Sequence, residues 1–177
     1  MYSPITIAHP SEGDFNPAMS GYVALAGSLD DAAGQLALQR DAVVRRFATV
    51  KAAQEGYRYA PGKWTVREVV GHMSDAERIF AYRLLRIARG DETPLPGFDE
   101  NTYVPAGEFE RRSLAELIEE WKAVRNATIT LADGLPASAW TRRGTASGKT
   151  VTVAALAYII VGHVEHHLKI LKERYSV

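Results

Sequence analysis

The chain has 177 residues, no cysteine, and equal numbers of basic and acidic side chains, 21 of each. This length is that of one domain, and the neutral balance argues against recruitment of nucleic acid or an anionic membrane surface. The lack of cysteine excludes disulfides, thiolate metal ligands and a cysteine nucleophile, so histidine and carboxylate are the strong metal ligands available.

The first twenty residues are predicted to form an extended arm, because three prolines and a glycine interrupt a polar segment: Pro4, Pro10, Gly13 and Pro17. We therefore predict an arm over residues 1–20 and a single helical domain over residues 21–177. His9 lies in this arm directly before a proline and without a periodic apolar face. It is therefore not expected to be a metal ligand.

Targeting and membrane segments are not expected in this chain. No lysine or arginine precedes Arg40, and no continuous apolar segment follows the N-terminus, so the pattern of a signal or transit peptide is missing. The longest apolar run, Val151 to Gly162, is too short to span a bilayer. We expect no membrane association and a cytoplasmic location.

Two amphipathic helices are predicted in the first half of the chain. Apolar residues recur every three or four positions from Ser28, a plausible N-cap, to about Glu55. Thr65 and Glu68 then form a capping box that opens a second helix, which is predicted to end at Arg89.

Two more helices are predicted in the second half. Ser113 and Glu116 form another capping box, and Gly134 ends the helix that it opens. Thr152 caps the last helix, which is predicted to continue to about Tyr175. No convincing strand is found, so the pattern indicates an all-α four-helix bundle, in which sites are built from side chains on facing helices.

The connections between these helices include two longer irregular ones. Residues Asp91 to Gly107 contain too many prolines and glycines for a helix, and this loop is expected to border the functional site. Residues Arg143 to Thr150 resemble a phosphate-binding loop. That motif needs a glycine where Arg143 stands and a buried strand in front, so the segment is interpreted as a flexible polar crossing.

The last helix carries a histidine pair with metal-ligand spacing. His163 and His167 are four residues apart, so both imidazoles stand on one face of the helix, beside its apolar stripe, while His166 points further towards solvent. The pair can be a satisfied core pair or part of a metal site. A catalytic site usually has three protein ligands, and His72, at the edge of the buried stripe of the second helix, is the candidate for the third.

Other polar and aromatic residues have weaker functional signals. Asp75 and Glu77 are interpreted either as acceptors for a ligand imidazole N–H or as structural groups. Glu68 is already occupied by its capping role, and Glu165 can be a solvated helix charge or a general base. No function is assigned to the large aromatics Trp64, Tyr82, Trp121, Trp140 and Tyr158, which at helical spacing are more often core.

Three stretches together resemble a known family: YRYAPGKWTVREVVGHMSD at 57–75, PLPGFDEN at 94–101 and GHVEHH at 162–167. They are similar to the DinB-like superfamily, in particular to its branch of YfiT-like metal-dependent hydrolases. The similarity extends over nearly the whole chain from Tyr22 onwards.

The resemblance implies a bundle of up-down-down-up topology, often a homodimer. It also implies a divalent metal, commonly zinc or nickel, held by one histidine of the second helix and an H-x-x-x-H pair of the fourth. These positions fall on His72, His163 and His167. Relatives include thiol S-transferases that use bacillithiol or mycothiol.

The leading hypothesis is a metal-dependent enzyme with a three-histidine site, either a thiol S-transferase or a hydrolase acting on a small molecule. The alternative is a non-catalytic helical bundle, a metal-binding or stress-response module. An open pocket at the histidines would favour the enzyme, whereas a fourth protein ligand would favour the binding module.

Overall fold

The computed structural model describes residues 7–177, which form seven α-helices and one two-stranded hairpin. The helices are α1 Ser20–Ala26, α2 Ala32–Phe47, α3 Ala52–Glu55, α4 Val66–Ala88, α5 Glu100–Ala106, α6 Leu114–Asp133 and α7 Val153–Ile170. The strands are β1 Arg143–Ala146 and β2 Lys149–Thr152. Short 3-10 turns lie at Pro17–Met19, Phe109–Arg111 and Ala137–Ala139, and a π-helical turn, Leu171–Tyr175, extends α7.

Three of the helix starts that capping residues predict are confirmed. Thr65 and Glu68 exchange side-chain and backbone hydrogen bonds at the start of α4, and Ser113 and Glu116 do the same at α6. The hydroxyl of Thr152 accepts a hydrogen bond from the backbone N–H of Ala155 and caps α7. These bonds satisfy N–H groups that have no partner inside the helix.

The four long helices, α2, α4, α6 and α7, form the predicted four-helix bundle, in which α2 and α4 each pack against both α6 and α7. Hydrogen bonds between helix ends fix the relative directions: Tyr175 to Trp64, Arg46 to Val177, and Arg67 to Glu110. They make α7 antiparallel to α4 and parallel to α2, with α6 parallel to α4. The topology is therefore up-down-down-up.

The first predicted helix was too long, because the structure divides it. Ser28 is not the N-cap; instead its hydroxyl donates to Asp30, and the carboxylate of Asp31 accepts from the backbone N–H of Gly34 and caps α2. The helix ends at Phe47, and Ala52–Glu55 form a separate turn of helix. Apolar periodicity continued through this break and concealed it.

The prediction that the chain contains no strand was wrong, since β1 and β2 pair antiparallel with Ala146 opposite Lys149. The turn residues Ser147 and Gly148 have φ angles of 53° and 71°. Positive φ at both central residues is what the tight two-residue turn of a hairpin requires, and glycine adopts it without strain. The segment interpreted as a polar crossing is therefore an ordered hairpin.

The prediction that Asp91 to Gly107 cannot hold a helix was also wrong. Asp99 accepts a hydrogen bond from the backbone N–H of Asn101 and caps α5. Pro105 lies near the end of this seven-residue helix. In so short a helix a proline removes a single backbone hydrogen bond, so its presence is compatible with the observed structure.

Residues 7–16 contain no helix or strand, but the 3-10 turn begins at Pro17 and α1 at Ser20, so regular structure starts before the boundary predicted at residue 20. The helix α1 packs against α7. The division into an arm and a domain stays a prediction, and residues 1–6 lie outside the described part.

Two clusters of buried apolar side chains fill the bundle, and polar groups lie between them. Along α7 the first cluster ends at Val161 and the second begins at Val164. Along α2 the first cluster ends at Leu36 and the second begins at Val43. Six of the buried polar residues near this level are here called the polar layer: Gln39, His72, Glu77, Arg125, His163 and His167. Among residues 7–177 no helix has both the length and the apolar character needed to cross a membrane.

Candidate metal centre

The structure brings the three predicted histidines together in the polar layer. The Nε2 atom of His163 lies 3.0 Å from Nε2 of His72 and 3.1 Å from Nε2 of His167. All three residues are buried, and one ring nitrogen of each belongs to a group whose atoms lie within 4.8 Å of one another. The three imidazoles therefore point at a common space between α4 and α7.

Two glycines, Gly71 and Gly162, each directly precede one of these histidines. Because a glycine has no side chain, another segment of the chain can approach closely at each of these positions. A Cβ on Gly162 would lie 1.8 Å from the backbone oxygen of Tyr22, so α1 can cross α7 here only without a side chain at this position. A Cβ on Gly71 would lie 2.3 Å from the ring of Phe109. The sequence pattern Gly-His on both helices thus places each imidazole where another segment approaches closely.

Burial keeps the three imidazoles neutral. Desolvation lowers the pKa of His72 from the usual 6.5 to about 4, with the nearby His166 acting in the same direction. Burial, followed by the neighbouring imidazoles, lowers the pKa of His163 and His167 well below the usual value. A neutral imidazole has a free lone pair, which is the form that coordinates a metal.

The arrangement fits a divalent cation better than a set of direct hydrogen bonds. A ring nitrogen carries either one hydrogen or one lone pair, so Nε2 of His163 cannot form a full hydrogen bond with both of its neighbours. Two imidazole nitrogens bound to one tetrahedral zinc lie about 3.3 Å apart, close to the observed spacings. Among the described residues this group contains no fourth histidine or carboxylate.

A cavity of about 310 Å³ lies over the histidines. It is lined by His72 and His167, and its other walls come from five different segments: Tyr22, Tyr59, Gly62, Lys63, Trp64, Val69, Glu100, Asn101, His166, Ile170 and Tyr175. This volume is at the lower end of the range of small-molecule sites. The segment 91–107 does border the cavity, as expected, through Glu100 and Asn101 at the start of α5.

The carboxylates considered as partners for the imidazoles have other partners. Asp75 pairs with Arg78 at 3.5 Å on the surface of α4. Glu77 forms a two-pronged ion pair with Arg125, with N–O distances of 2.6 and 2.8 Å. Glu165 accepts a hydrogen bond from Gln39 at 2.6 Å. These contacts agree with the interpretation of Asp75 and Glu77 as structural groups rather than as acceptors for a ligand imidazole N–H.

Several residues at the site carried no functional signal in the sequence. The ring centre of Trp64 lies 4.8 Å from that of His72, and the ring centre of Tyr22 lies 5.4 Å from that of His163. Burial, then the charge of Glu100, raises the pKa of Tyr22. Tyr22 reaches the site from α1, a distant segment, and no local pattern identifies such a contact.

His166 and His9 differ from the three buried histidines. His166 is half-buried rather than turned away, because its ring packs 5.3 Å from that of Tyr22 and borders the cavity. Burial, then Lys169, lowers its pKa. His9 is exposed, and its Nδ1 lies 3.0 Å from the backbone oxygen of Pro10, outside the centre.

Solved structures share this architecture. YfiT from Bacillus subtilis, described as "a probable metal-dependent hydrolase with an unusual four-helix bundle topology", superposes with a TM-score of 0.66 at 18% identity, over 94% of this chain and 91% of that one. The mycothiol-dependent maleylpyruvate isomerase superposes with a TM-score of 0.61 at 17% identity, over 82% of this chain and 60% of that one. At these identities the similarity shows the fold alone.

A comparison with curated proteins found no match. The family model described as the DinB superfamily, however, matches residues 35–171, well over half of the chain and including all three buried histidines. The chain belongs to the DinB superfamily.

Proposed function

We propose that this protein is a divalent-metal-dependent enzyme in which His72, His163 and His167 hold the ion. The observation that carries the proposal is the convergence of three buried Nε2 atoms beside an accessible cavity. Imidazole ligands suit zinc and nickel, and these are the ions that we propose. When bound, such an ion supplies a Lewis acid that makes a thiol or a water molecule nucleophilic near neutral pH.

The residues around the cavity suit a reaction of a small molecule. His72 and His167 form part of the cavity wall, whereas His163 lies behind them, in contact with Phe80 at 5.6 Å between ring centres. Burial, then Lys169, lowers the pKa of His166 and so favours its neutral form, and His166 borders the cavity, so it is the group that we propose to accept a proton from a thiol or water there. The rings of Trp64 and Tyr22 pack against His72 and His163, with ring centres 4.8 and 5.4 Å apart, and help to hold these imidazoles in place.

Transfer of a thiol to an electrophile and hydrolysis are the two reactions that we propose for this site. The thiol would come from a separate low-molecular-weight molecule, because the chain has no cysteine of its own. The structural neighbour whose description names mycothiol lends support to the thiol reaction. We further propose a homodimer, as the family resemblance implies.

The alternative of a non-catalytic metal-binding module has less support. Structural zinc sites are usually closed by four protein ligands. Here the described residues supply three, and the adjoining space is a cavity rather than a packed side chain. An accessible position beside three ligands favours chemistry.

Metal analysis of the purified protein tests the proposed site. We expect one divalent ion per chain, and replacing His72, His163 or His167 with alanine should lower the affinity for the metal by more than about tenfold, because each residue supplies one of three ligands. His166→Ala is the matched control, since it changes a neighbouring histidine that is not in the group. It should retain the metal. Full metal content in all three ligand variants after chelator dialysis would place the site elsewhere.

Turnover tests the enzyme itself. In a screen of thiols paired with electrophiles and of hydrolysable esters and amides, the metal-loaded wild type should turn over at least one substrate. His166→Ala should then lose about a hundredfold or more in kcat while keeping its metal, because a general base contributes that much. A metal-loaded protein inactive on the whole panel would favour the binding module.

A further inference from the structure

A second cavity, of about 40 Å³, lies between α4, α7 and the hairpin. We infer that it binds the carboxylate of a small aliphatic molecule, at a site separate from the cavity over the histidines. Its lining includes Arg83, on α4, which is only 7% exposed.

The buried guanidinium of Arg83 has no counter-ion among residues 7–177. Two arginines are buried among residues 7–177, and the other, Arg125, is matched by Glu77. Arg83 forms no ion pair in this part of the chain; its Nη2 donates to the backbone oxygen of Pro96 at 2.7 Å and to Ser147 Oγ at 3.1 Å. Neither acceptor is charged. The rings of Phe80 and Phe98, whose centres lie 6.0 and 5.8 Å from the guanidinium carbon, offset part of the cost of burying this charge, and an anion would offset more of it.

The remaining hydrogen-bond donors of Arg83 suit such a ligand. A guanidinium has five N–H groups, and the two on Nη2 are occupied. Those on Nε and Nη1 have no protein acceptor among the described residues, and Arg83 lines the cavity. Burial also lowers its pKa, which is the direction that an anion would oppose.

The charged residues that line the cavity, Arg83 and Lys149, are both basic. Lys149 lines it from β2 and is exposed, so its ammonium group lies at the solvent edge, and no acidic residue is in the lining. The hairpin segment that resembled a phosphate-binding loop thus supplies Ser147 and Lys149 to this site. It does so without the strand, loop and helix that a nucleotide site requires.

The apolar walls favour a carboxylate over an inorganic oxyanion. Most of the remaining lining is apolar: Met19, Phe80, Ala146, Val151, Leu156 and Ile159. On this measure a volume of roughly 10–15 Å³ holds one water molecule, so about 40 Å³ has room for a carboxylate and the start of its carbon chain. Phe80 also contacts the ring of His163, so the two sites share one side chain.

Titration with propanoate tests this inference in the metal-loaded, full-length protein labelled with ¹⁵N-arginine. The Nε–Hε NMR signal of Arg83, assigned from its loss in Arg83→Lys, should shift saturably with propanoate at constant ionic strength. It should not shift with propanamide, an uncharged molecule of the same shape. Arg83→Gln should weaken propanoate binding at least about tenfold, measured by calorimetry, since it removes a charged hydrogen-bond donor.

Two variants make the test independent of the folding of Arg83→Gln. Lys149→Met, at an exposed position, should weaken propanoate binding about threefold. Arg86→Gln is the matched control, because Arg86 lies on the same helix and also ties down the following loop, through Asp91, but does not line the cavity. It should bind propanoate as the wild type does.

Three results would overturn the inference. They are an Arg83 signal that propanoate leaves unmoved, equal shifts with propanamide, and a preference for inorganic phosphate over propanoate. Because metal content is measured on the same samples, failure of the metal site would be recognised separately.

Discussion

At the scale of single residues, the buried histidines link folding to pH. Desolvation lowers the pKa of His72 to about 4, whereas in the unfolded chain it returns to about 6.5. Between these two values the unfolded chain binds a proton that the folded chain does not. The free energy of unfolding therefore falls as the pH falls through this window.

We predict that the metal-free protein loses stability steeply between about pH 6.5 and pH 4. His72 alone accounts for about 3 kcal/mol over this range, and His163 and His167 act in the same direction. Urea denaturation at a series of pH values, after removal of metal with a chelator, measures the effect. In His72→Gln the slope with pH should decrease, and an unchanged slope would mean that other groups cause it.

The same protonation should release the metal in acid. Because burial opposes protonation of the ligands, we expect occupancy to persist at pH 6 and to be lost as the pH approaches about 4, lower than an unperturbed imidazole would require. Measuring bound metal after dialysis at each pH checks this expectation. Full occupancy below pH 4 would point to ligands other than imidazole.

At the scale of secondary-structure elements, the contact between α1 and α7 determines one wall of the site. Gly162 allows the backbone of Tyr22 to lie against α7, next to His163. A methyl group there overlaps the carbonyl oxygen of Tyr22, and backbone cannot move aside as a flexible side chain can.

We predict that Gly162→Ala destabilises the protein by about 1–3 kcal/mol and moves α1 away from the histidines. Gly21→Ala is the matched control, because Gly21 lies on α1 and a Cβ there would meet no atom within 4 Å. Alanine is the better helix former, so this control should be neutral or stabilising. Thermal unfolding of both variants gives the comparison, and equal effects would contradict the close-approach argument.

The elements that the sequence predicted correctly are those encoded by short-range patterns. Capping boxes at Thr65 and Ser113 and the cap at Thr152 act within three or four residues, so they mark helix starts reliably. The histidine spacing on α7 is local in the same sense. Together with the apolar stripe of the second helix, which places His72 towards the bundle centre, these signals predict the bundle and the grouping of its three buried histidines.

The elements that were missed depend on particular turns or on distant contacts. The hairpin depends on positive φ at Ser147 and Gly148, and a Ser-Gly pair in the sequence does not distinguish a hairpin turn from a loop. The helix α5 was excluded on account of prolines, one of which proved compatible with its last turn. Tyr22 reaches His163 across 141 positions of sequence, which no periodicity predicts.

At the scale of the whole molecule, one hydrogen-bonded network joins all four bundle helices. Arg125 on α6 binds Glu77 on α4 and donates to Gln39 on α2 at 2.6 Å. Gln39 in turn donates to the backbone oxygen of Val161 on α7 at 3.0 Å. Since this network lies in the polar layer beside the histidines, we expect it to hold α4 and α7 at the separation that brings their imidazoles together.

The buried ion pair at the centre of this network should be worth far more than pairs on the surface. Arg125 and Glu77 have side-chain exposures of 0% and 2%. Removing one charge leaves the other buried without a partner, so we predict that Glu77→Gln lowers the free energy of unfolding by about 3–5 kcal/mol. Replacing both, in Glu77→Leu with Arg125→Met, should cost less than the sum of the single changes, because no unpaired charge is left.

Glu120→Gln provides the matched control, since Glu120 pairs with Arg78 at 2.7 Å and so bridges the same two helices in a more exposed position. We expect it to cost no more than about 1 kcal/mol. Urea denaturation at pH 7 of these three variants and of the single changes Glu77→Leu and Arg125→Met measures these differences. Metal analysis of the folded variants separates stability from ligation, because Glu77 is not one of the three proposed ligands. Equal costs for Glu77→Gln and Glu120→Gln would mean that the network does not determine how the bundle holds its histidines together.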